Sequence, residues 1–214
     1  NVIPPQEVID QYGADILRLW VASSDYRRDV RISRKIIKQL VEIYRKIRNT
    51  SRFILGNLYD FDPEKNNVPY EQLEDIDQII LSQFQHLVQR TSENYENYEF
   101  HTMYHDIHNF CTLNLSSFYL DIIKDRLYVL NADSVQRRGA QTVLYKIVSE
   151  LTRLIAPVLS FTAEEIWQNL NKIGKNEDSV FLAPWPQVDQ KMVQKEMEEK
   201  WSQLLAVRKD VLKA

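Results

Sequence analysis

Three histidines lie close together in this chain and could serve as metal ligands. His101, His105 and His108 are four and three residues apart, which places them on one side of a helix, where zinc could bind. The chain has no HExxH motif and no partner carboxylate at a diagnostic spacing, and the residues between the histidines are packing types. We therefore predict no metal site, and a helical metalloprotein stays the alternative that metal analysis of untagged protein would test.

Nucleophilic and phosphate-binding chemistry has equally little support. Cys111 lies in an apolar helical pattern without a basic neighbour to activate it, so structural burial is expected. The chain contains no glycine-rich phosphate loop, no GxSxG motif and no dinucleotide fingerprint. The sequence therefore predicts no catalytic residue and no bound cofactor.

A long amphipathic helix offers chemistry of another kind. Wound as an α-helix, residues 34–54 place seven apolar side chains on one side, namely Ile36, Ile37, Leu40, Ile43, Tyr44, Ile47 and Ile54. The opposite side is basic, with Arg34, Lys38, Arg45, Asn49 and Arg52 in its centre and Lys35, Lys46 and Arg48 beside them. One acid, Glu42, interrupts it.

The positive charge is concentrated in this part of the chain. Arg27 to Arg52 contains ten Lys or Arg against two Asp or Glu, a local charge of +8 in a chain of net charge −3. Asp60 to Glu99 holds ten acids against two bases and is predicted to face away from a polyanion. The basic helix face is thus expected to bind nucleic acid. There are two alternatives: the face is simply solvated, or it docks on an acidic protein.

Composition predicts a globular, mainly α-helical protein. Of 214 residues 44% are hydrophobic, enough for a substantial core, and four glycines and seven prolines are few for this length. The single cysteine suits a reducing compartment. Because no apolar run approaches ~20 residues and no signal-peptide pattern occurs, we expect a cytoplasmic monomer without membrane contact.

The apolar pattern predicts a division at residue 33. Residues 1–33 are expected to form a small α/β piece with two short helices and a strand over 29–33, and residues 34–214 a helical bundle with an irregular excursion near 171–188. Bundle helices are predicted over 34–56, 76–98 and 100–130, then from after Ser134 to Pro157, and finally over 192–213. Thr162 and Glu165 have capping-box spacing at the start of a shorter helix, and an extended piece is expected over 180–182.

Two further pairs of basic residues are less distinctive. Lys124 and Arg126 are predicted to form local ion pairs with neighbouring aspartates on an exposed helix surface. Arg137 and Arg138 lie at a helix start, where the helix dipole disfavours cations, so a functional role is one interpretation of these two residues.

Four stretches carry a family resemblance: NVIPPQEVIDQYGADILRLWVASSDY, YRKIRNTSRFILGNL, FYLDIIKDRLY and APVLSFTAEEIW. In this order they resemble the part of a bacterial-type isoleucyl-tRNA synthetase, a class Ia aminoacyl-tRNA synthetase, that follows the catalytic domain. The first resembles the segment after the KMSKS loop, and the others resemble the anticodon-binding helical domain. GADILRLW and the RNTSRF type of helix are shared with the related valine enzyme, which stays the alternative, whereas FYLDIIKDR favours isoleucine.

The resemblance implies a module that binds the anticodon arm of tRNA(Ile). The HIGH and KMSKS signatures and the cysteine clusters of the family's C-terminal zinc-binding part are absent from these residues. The resemblance therefore implies that the chain is an inactive fragment of an isoleucine-tRNA ligase. The parent enzyme would use ATP and Mg, and its catalytic, editing and zinc-binding parts would be the other partners of this module.

The resemblance also implies roles for particular residues. Residues 1–33 resemble the stem-contact fold, and Asn49 and Arg52 match the class Ia pattern on the helix that lies along tRNA. The implied RNA-binding set is Asn49, Arg52, Arg45, Lys38, Arg34, Arg48 and Lys46.

The sequence departs from the family pattern just before this helix. DYRRD and ISRKII stand where DYTGD-like and ISDEIL-like stretches are expected, so Arg27, Arg28, Arg34 and Lys35 are unusually basic. These residues would either add nonspecific affinity for RNA or contact another part of the parent enzyme. If the chain is instead a helical protein-interaction domain, it should associate with a partner without RNA.

Overall fold

Helices make up all the regular secondary structure in the part of the chain that the structure describes, residues 3–170, 172–173 and 177–211. In this computed structural model the α-helices are α1 (Pro5–Tyr12), α2 (Ala14–Ser23), α3 (Arg34–Gly56), α4 (Asp75–Glu96), α5 (Phe100–Asn109), α6 (Leu120–Ile122), α7 (Lys124–Tyr128), α8 (Val135–Ile155), α9 (Ser160–Leu170) and α10 (Lys195–Val211). A π-helical segment, Phe110–Tyr119, joins α5 to α6, and short 3₁₀ turns occur at Tyr70–Gln72 and Gln190–Met192. The predicted mainly α-helical bundle is confirmed.

The ends of the long helices follow from local sequence signals. The Ser33 hydroxyl accepts a hydrogen bond from the backbone N–H of Ile36 at 3.2 Å and so caps the start of α3. Ser134 caps α8 in the same way, through the N–H of Arg137 at 3.3 Å. Helix α8 ends two residues before Pro157, because proline lacks the backbone N–H that would continue the helix.

Two predicted extended segments are not formed. Residues 29–33 have no regular secondary structure, because no second strand lies beside them in the described residues to complete a hydrogen-bonded ladder. Residues 180–182 lie in a turn, in which the N–H of Leu182 donates to the Ser179 carbonyl at 3.0 Å. Both predictions rested on local composition, which cannot supply a neighbouring strand. Residues 171, 174–176 and 212–214, which belong to the predicted excursion and final helix, lie outside the described residues.

The predicted capping box of α9 is also wrong, since the helix begins at Ser160 and places Thr162 in its first turn. The cap comes from Asp15 of α2, whose carboxylate accepts from the Thr162 N–H at 2.8 Å and the Thr162 hydroxyl at 2.6 Å. Arg18 of α2 donates to the carbonyls of Pro157 and Val158. These contacts dock residues 14–23 against the bundle, and the division at residue 33 stays a prediction.

The core lies where α3, α4, α8 and the π-helical segment pack against one another. Ile80 and Phe84 of α4 and Leu144 and Ile147 of α8 have no exposed surface, which confirms the apolar faces predicted for these helices. Cys111 is fully buried, as predicted, and burial raises the pKa of its thiol to about 12. None of the described helices is long and apolar enough to cross a membrane.

A buried ion pair fastens α7 to α4 and corrects the prediction for Arg126. This guanidinium is 11% exposed and donates two hydrogen bonds, of 2.9 and 2.7 Å, to the fully buried carboxylate of Asp77. The Tyr119 hydroxyl donates to the same carboxylate at 2.6 Å, and burial with the nearby charge raises the pKa of that hydroxyl well above its usual value. Lys124 alone behaves as predicted, in an exposed pair with Asp121.

Candidate nucleic-acid interface

Helix α3 presents its basic side chains to solvent. Ile37, Leu40, Ile47 and Ile54 are buried on the opposite side, as the apolar stripe predicts. The seven predicted RNA-binding side chains all lie on the outer face, and six of them are exposed: Arg34, Lys38, Arg45, Lys46, Asn49 and Arg52. Arg48 is half-buried. The face from Arg34 to Arg52 is roughly 27 Å long at 1.5 Å per residue. Contact of these residues with RNA stays a prediction.

The seven side chains differ in their acidic neighbours. Three have a carboxylate partner: Arg34 lies 3.0 Å from Glu7, Arg45 lies 2.6 Å from Glu42 and Arg48 lies 3.5 Å from Glu165. The other four make no side-chain hydrogen bond or ion pair with any described residue: Lys38, Lys46, Asn49 and Arg52. Their polar groups are therefore available to an external ligand at no cost in internal contacts.

Arg27 forms contacts within the chain that neither sequence interpretation foresaw. Its guanidinium donates to both carboxylate oxygens of Glu99, at 2.8 and 3.0 Å, and to Asp25 at 3.0 Å. The hydrogen bonds from Arg27 lower the pKa of Asp25. Arg27 thus links the loop before α3 to the start of α5, whereas Lys35 has no partner in the described part of the chain.

Two open grooves flank the C-terminal half of α3. The first lies between α3 and α9, has a volume of about 610 Å³ and is lined in part by Arg48, Thr162, Glu165 and Asn169. The second lies between α3, α7 and the start of α8, has a volume of about 590 Å³ and is lined in part by Asn49, Phe53, Tyr128 and Arg137. Arg52, Gly56 and Tyr59 line both grooves. Each volume falls in the range of small-ligand sites, ~300–1,000 Å³.

The turn that follows α3 carries Tyr59 and is fixed to α8. The side-chain amide of Gln141 donates to the Asn57 carbonyl at 2.9 Å and to the Asp60 carboxylate at 2.7 Å. Arg138 donates to the Asp60 carbonyl at 2.8 Å. This turn is therefore held at its backbone and its side chains, while the Tyr59 ring remains 78% exposed.

Arg137 links the turn that carries Tyr59 to the second groove. It is only 8% exposed and donates to the Asp60 carboxylate at 2.8 Å and to the Tyr59 hydroxyl at 3.3 Å. Burial alone would lower the pKa of Arg137, but the hydrogen bond with Tyr59 and the charge of Asp60 raise it. The basic pair at the start of α8 thus has internal partners, and sequence analysis missed Tyr59, whose one signal is an aromatic residue in a polar turn directly after the basic helix.

The three histidines do not converge on one point. No group of three or more His, Cys, Asp or Glu side chains in the described ranges is arranged to hold a metal ion. His101 lies 3.7 Å from Glu99, whereas the Nε2 of His108 is buried without a hydrogen-bond partner. Burial, followed by the charges of Lys46 and His105, lowers the pKa of His108.

His108 should make stability depend on pH. A histidine with a lowered folded pKa binds fewer protons in the folded state, so its stabilising contribution is complete above its ordinary pKa of 6.5 and is lost as pH falls through the folded pKa. We expect the melting temperature of His108→Gln to fall less than that of the native chain between about pH 7.5 and pH 5. Thermal unfolding followed by circular dichroism would measure this, and parallel pH profiles would contradict it.

Known proteins resemble this fold and this arrangement of helices. A crystal structure of the ternary complex of LeuRS, tRNA and LeuAMS from Agrobacterium radiobacter aligns with a TM-score of 0.68 and 19% identity, over 91% of this chain and 22% of that one. At this identity the likeness shows the fold alone. The family model described as the anticodon-binding domain of tRNA ligase matches residues 77–214. The chain therefore belongs to the anticodon-binding domain family of tRNA ligases.

Curated relatives match the entire chain. It is 55% identical over 214 residues to an isoleucine-tRNA ligase of Natranaerobius thermophilus and 54% identical to one of Carboxydothermus hydrogenoformans, each alignment covering 100% of this chain and 23% of the relative. Residues 1–33 match the model for class I tRNA synthetases of the I, L, M and V types. The predicted resemblance to isoleucyl-tRNA synthetases is confirmed, and the chain spans less than a quarter of the length of these relatives.

Proposed function

We propose that this chain is the anticodon-arm-binding module of an isoleucine-tRNA ligase and that it positions tRNA(Ile) for ATP-dependent aminoacylation elsewhere in that enzyme. The observation that carries the proposal is the exposed basic face of α3 in a member of the anticodon-binding family. Lys38, Lys46 and Arg52 supply charge for phosphates without breaking an internal contact. The Asn49 amide can hydrogen-bond the edge of an unstacked base.

Further parts of the proposal concern the enzyme as a whole. The names of the relatives favour isoleucine over valine. ATP and Mg would act in the catalytic part, and the catalytic, editing and zinc-binding parts would be covalent partners of this module. We place the enzyme in the cytoplasm, in keeping with the single buried cysteine, and expect a monomer in size-exclusion chromatography.

Fluorescence anisotropy with labelled tRNA(Ile) and one noncognate tRNA, each at two salt concentrations, tests this function. We expect binding that weakens steeply with salt, because counterions are released from the phosphates, and that favours tRNA(Ile). Arg52→Ala should weaken binding by about 5- to 100-fold with little change in melting temperature. Arg90→Ala is the matched control, because Arg90 is an exposed arginine on α4 that pairs with Asp106.

Two results would contradict the proposal. Equal affinity of the native chain and Arg52→Ala would remove α3 as the RNA-binding element. RNA-independent association with a protein partner, with no measurable tRNA binding, would favour the protein-interaction domain instead.

A further inference from the structure

We propose that Tyr59 is a preorganised stacking platform for an unpaired nucleotide base, and that the grooves on its two sides hold neighbouring nucleotides of a single-stranded RNA loop. This inference rests on the proposed function and assigns a specific binding site to it. It concerns a residue in the turn after α3, outside the basic face.

The first support is the position of the ring. Tyr59 is 78% exposed, yet it lines both grooves together with Arg52 and Gly56. An aromatic face next to a guanidinium is the combination that binds unstacked bases, since the ring stacks on the base and the cation holds the phosphate or stacks in turn.

The second support is the rigidity of the ring. Its hydroxyl accepts a hydrogen bond from Arg137, which is more than nine-tenths buried and bonded to Asp60. The backbone of the same turn is bonded to Gln141 and Arg138. A ring already fixed in place loses little conformational freedom when a base stacks on it, so its contacts contribute more fully to affinity.

The third support is the open space beside the ring. Gly56 does not have a positive φ, and a Cβ atom at this position would meet no heavy atom within 4 Å. Neither backbone conformation nor internal packing therefore requires glycine here. Its missing side chain leaves open space in both grooves between Arg52 and Tyr59.

The grooves beside Tyr59 offer hydrogen-bonding groups for base edges in addition to cations for phosphates. Glu165 contributes a carboxylate to the first groove, 3.5 Å from Arg48, and this carboxylate can accept hydrogen bonds from base amino groups. Asn169 in the first groove and Asn49 in the second each provide an amide, which can both donate to and accept from a base edge. Backbone phosphates would instead follow the outer face of α3.

Anisotropy titrations of Tyr59 variants with tRNA(Ile) test the platform. We expect Tyr59→Ala to weaken binding about 5- to 100-fold, as loss of one base stack does. Tyr59→Phe should weaken it much less, by about two- to fivefold, because it keeps the ring and loses only the hydrogen bond from Arg137 that fixes it. Tyr98→Ala is the matched control, since Tyr98 is 64% exposed and lines neither groove. Thermal melting of each variant would confirm that the fold is retained.

A second RNA separates stacking from a general loss of affinity. With tRNA(Ile) that carries abasic sites throughout the anticodon loop, Tyr59→Ala and the native chain should bind equally, because the stacking partner is gone. An unchanged affinity of Tyr59→Ala for intact tRNA, or an equal loss on intact and abasic tRNA, would overturn the platform while leaving tRNA binding in place. Absence of binding by the native chain would overturn the proposed function, and the platform with it.

Discussion

Replacement of Asp77 by alanine is expected to lower the free energy of unfolding by about 3–5 kcal/mol, the usual cost of removing one partner from a buried ion pair. Asp77 has no exposed surface, and its carboxylate accepts hydrogen bonds from Arg126 and Tyr119. The substitution would leave the Arg126 side chain, which is 11% exposed, with only the Glu74 carboxylate at 3.3 Å and the Gln136 carbonyl as described partners. It would also leave the buried Tyr119 hydroxyl without its acceptor. Urea unfolding followed by circular dichroism measures the change, and a loss below about 1 kcal/mol would show that water replaces the carboxylate.

Two further variants separate the charge effect from packing. Asp121→Ala removes an aspartate of an exposed ion pair with Lys124 and should change stability by less than about 1 kcal/mol. The double variant Asp77→Leu with Arg126→Met removes both buried charges. It should be more stable than Asp77→Ala alone, because it also removes the largely buried Arg126 charge that has lost its Asp77 partner.

The largest expected effect on RNA binding is that of the triple variant Lys38→Ala, Lys46→Ala and Arg52→Ala. These three cations have no carboxylate partner among the described residues, so each can contact a phosphate directly. We expect the slope of log affinity against log salt to fall by about 2–3, and affinity at moderate salt to fall on the order of 100-fold. Anisotropy titrations of tRNA(Ile) across a salt series measure both quantities.

A second triple variant controls for net charge. Arg34→Ala, Arg45→Ala and Arg48→Ala also remove three positive charges, but each of these arginines lies within 3.5 Å of a carboxylate. Long-range attraction of tRNA falls equally in both variants, so the difference between them reports direct phosphate contacts. Equal slopes would mean that the carboxylate partners of Arg34, Arg45 and Arg48 do not distinguish these arginines from the three unpaired cations in binding RNA.

The sequence by itself determined the helical class of the protein and the basic face of α3. An apolar stripe of helical period fixes which side of α3 is buried, and the opposite side must then carry its lysines and arginines to solvent. Local signals at Ser33, Ser134 and Pro157 also determined where α3 begins and where α8 begins and ends. These features depend on residues within a few positions of one another, which is why they could be predicted.

Only the tertiary structure decided which charged residues have internal partners. Arg126 pairs with Asp77 and Arg137 with Asp60, partners that are 49 and 77 positions apart in the chain. Asp15 caps α9 from a helix 147 positions earlier, which local capping rules could not reveal. The same long-range packing holds Tyr59 between two grooves, because a groove forms only where separate helices meet.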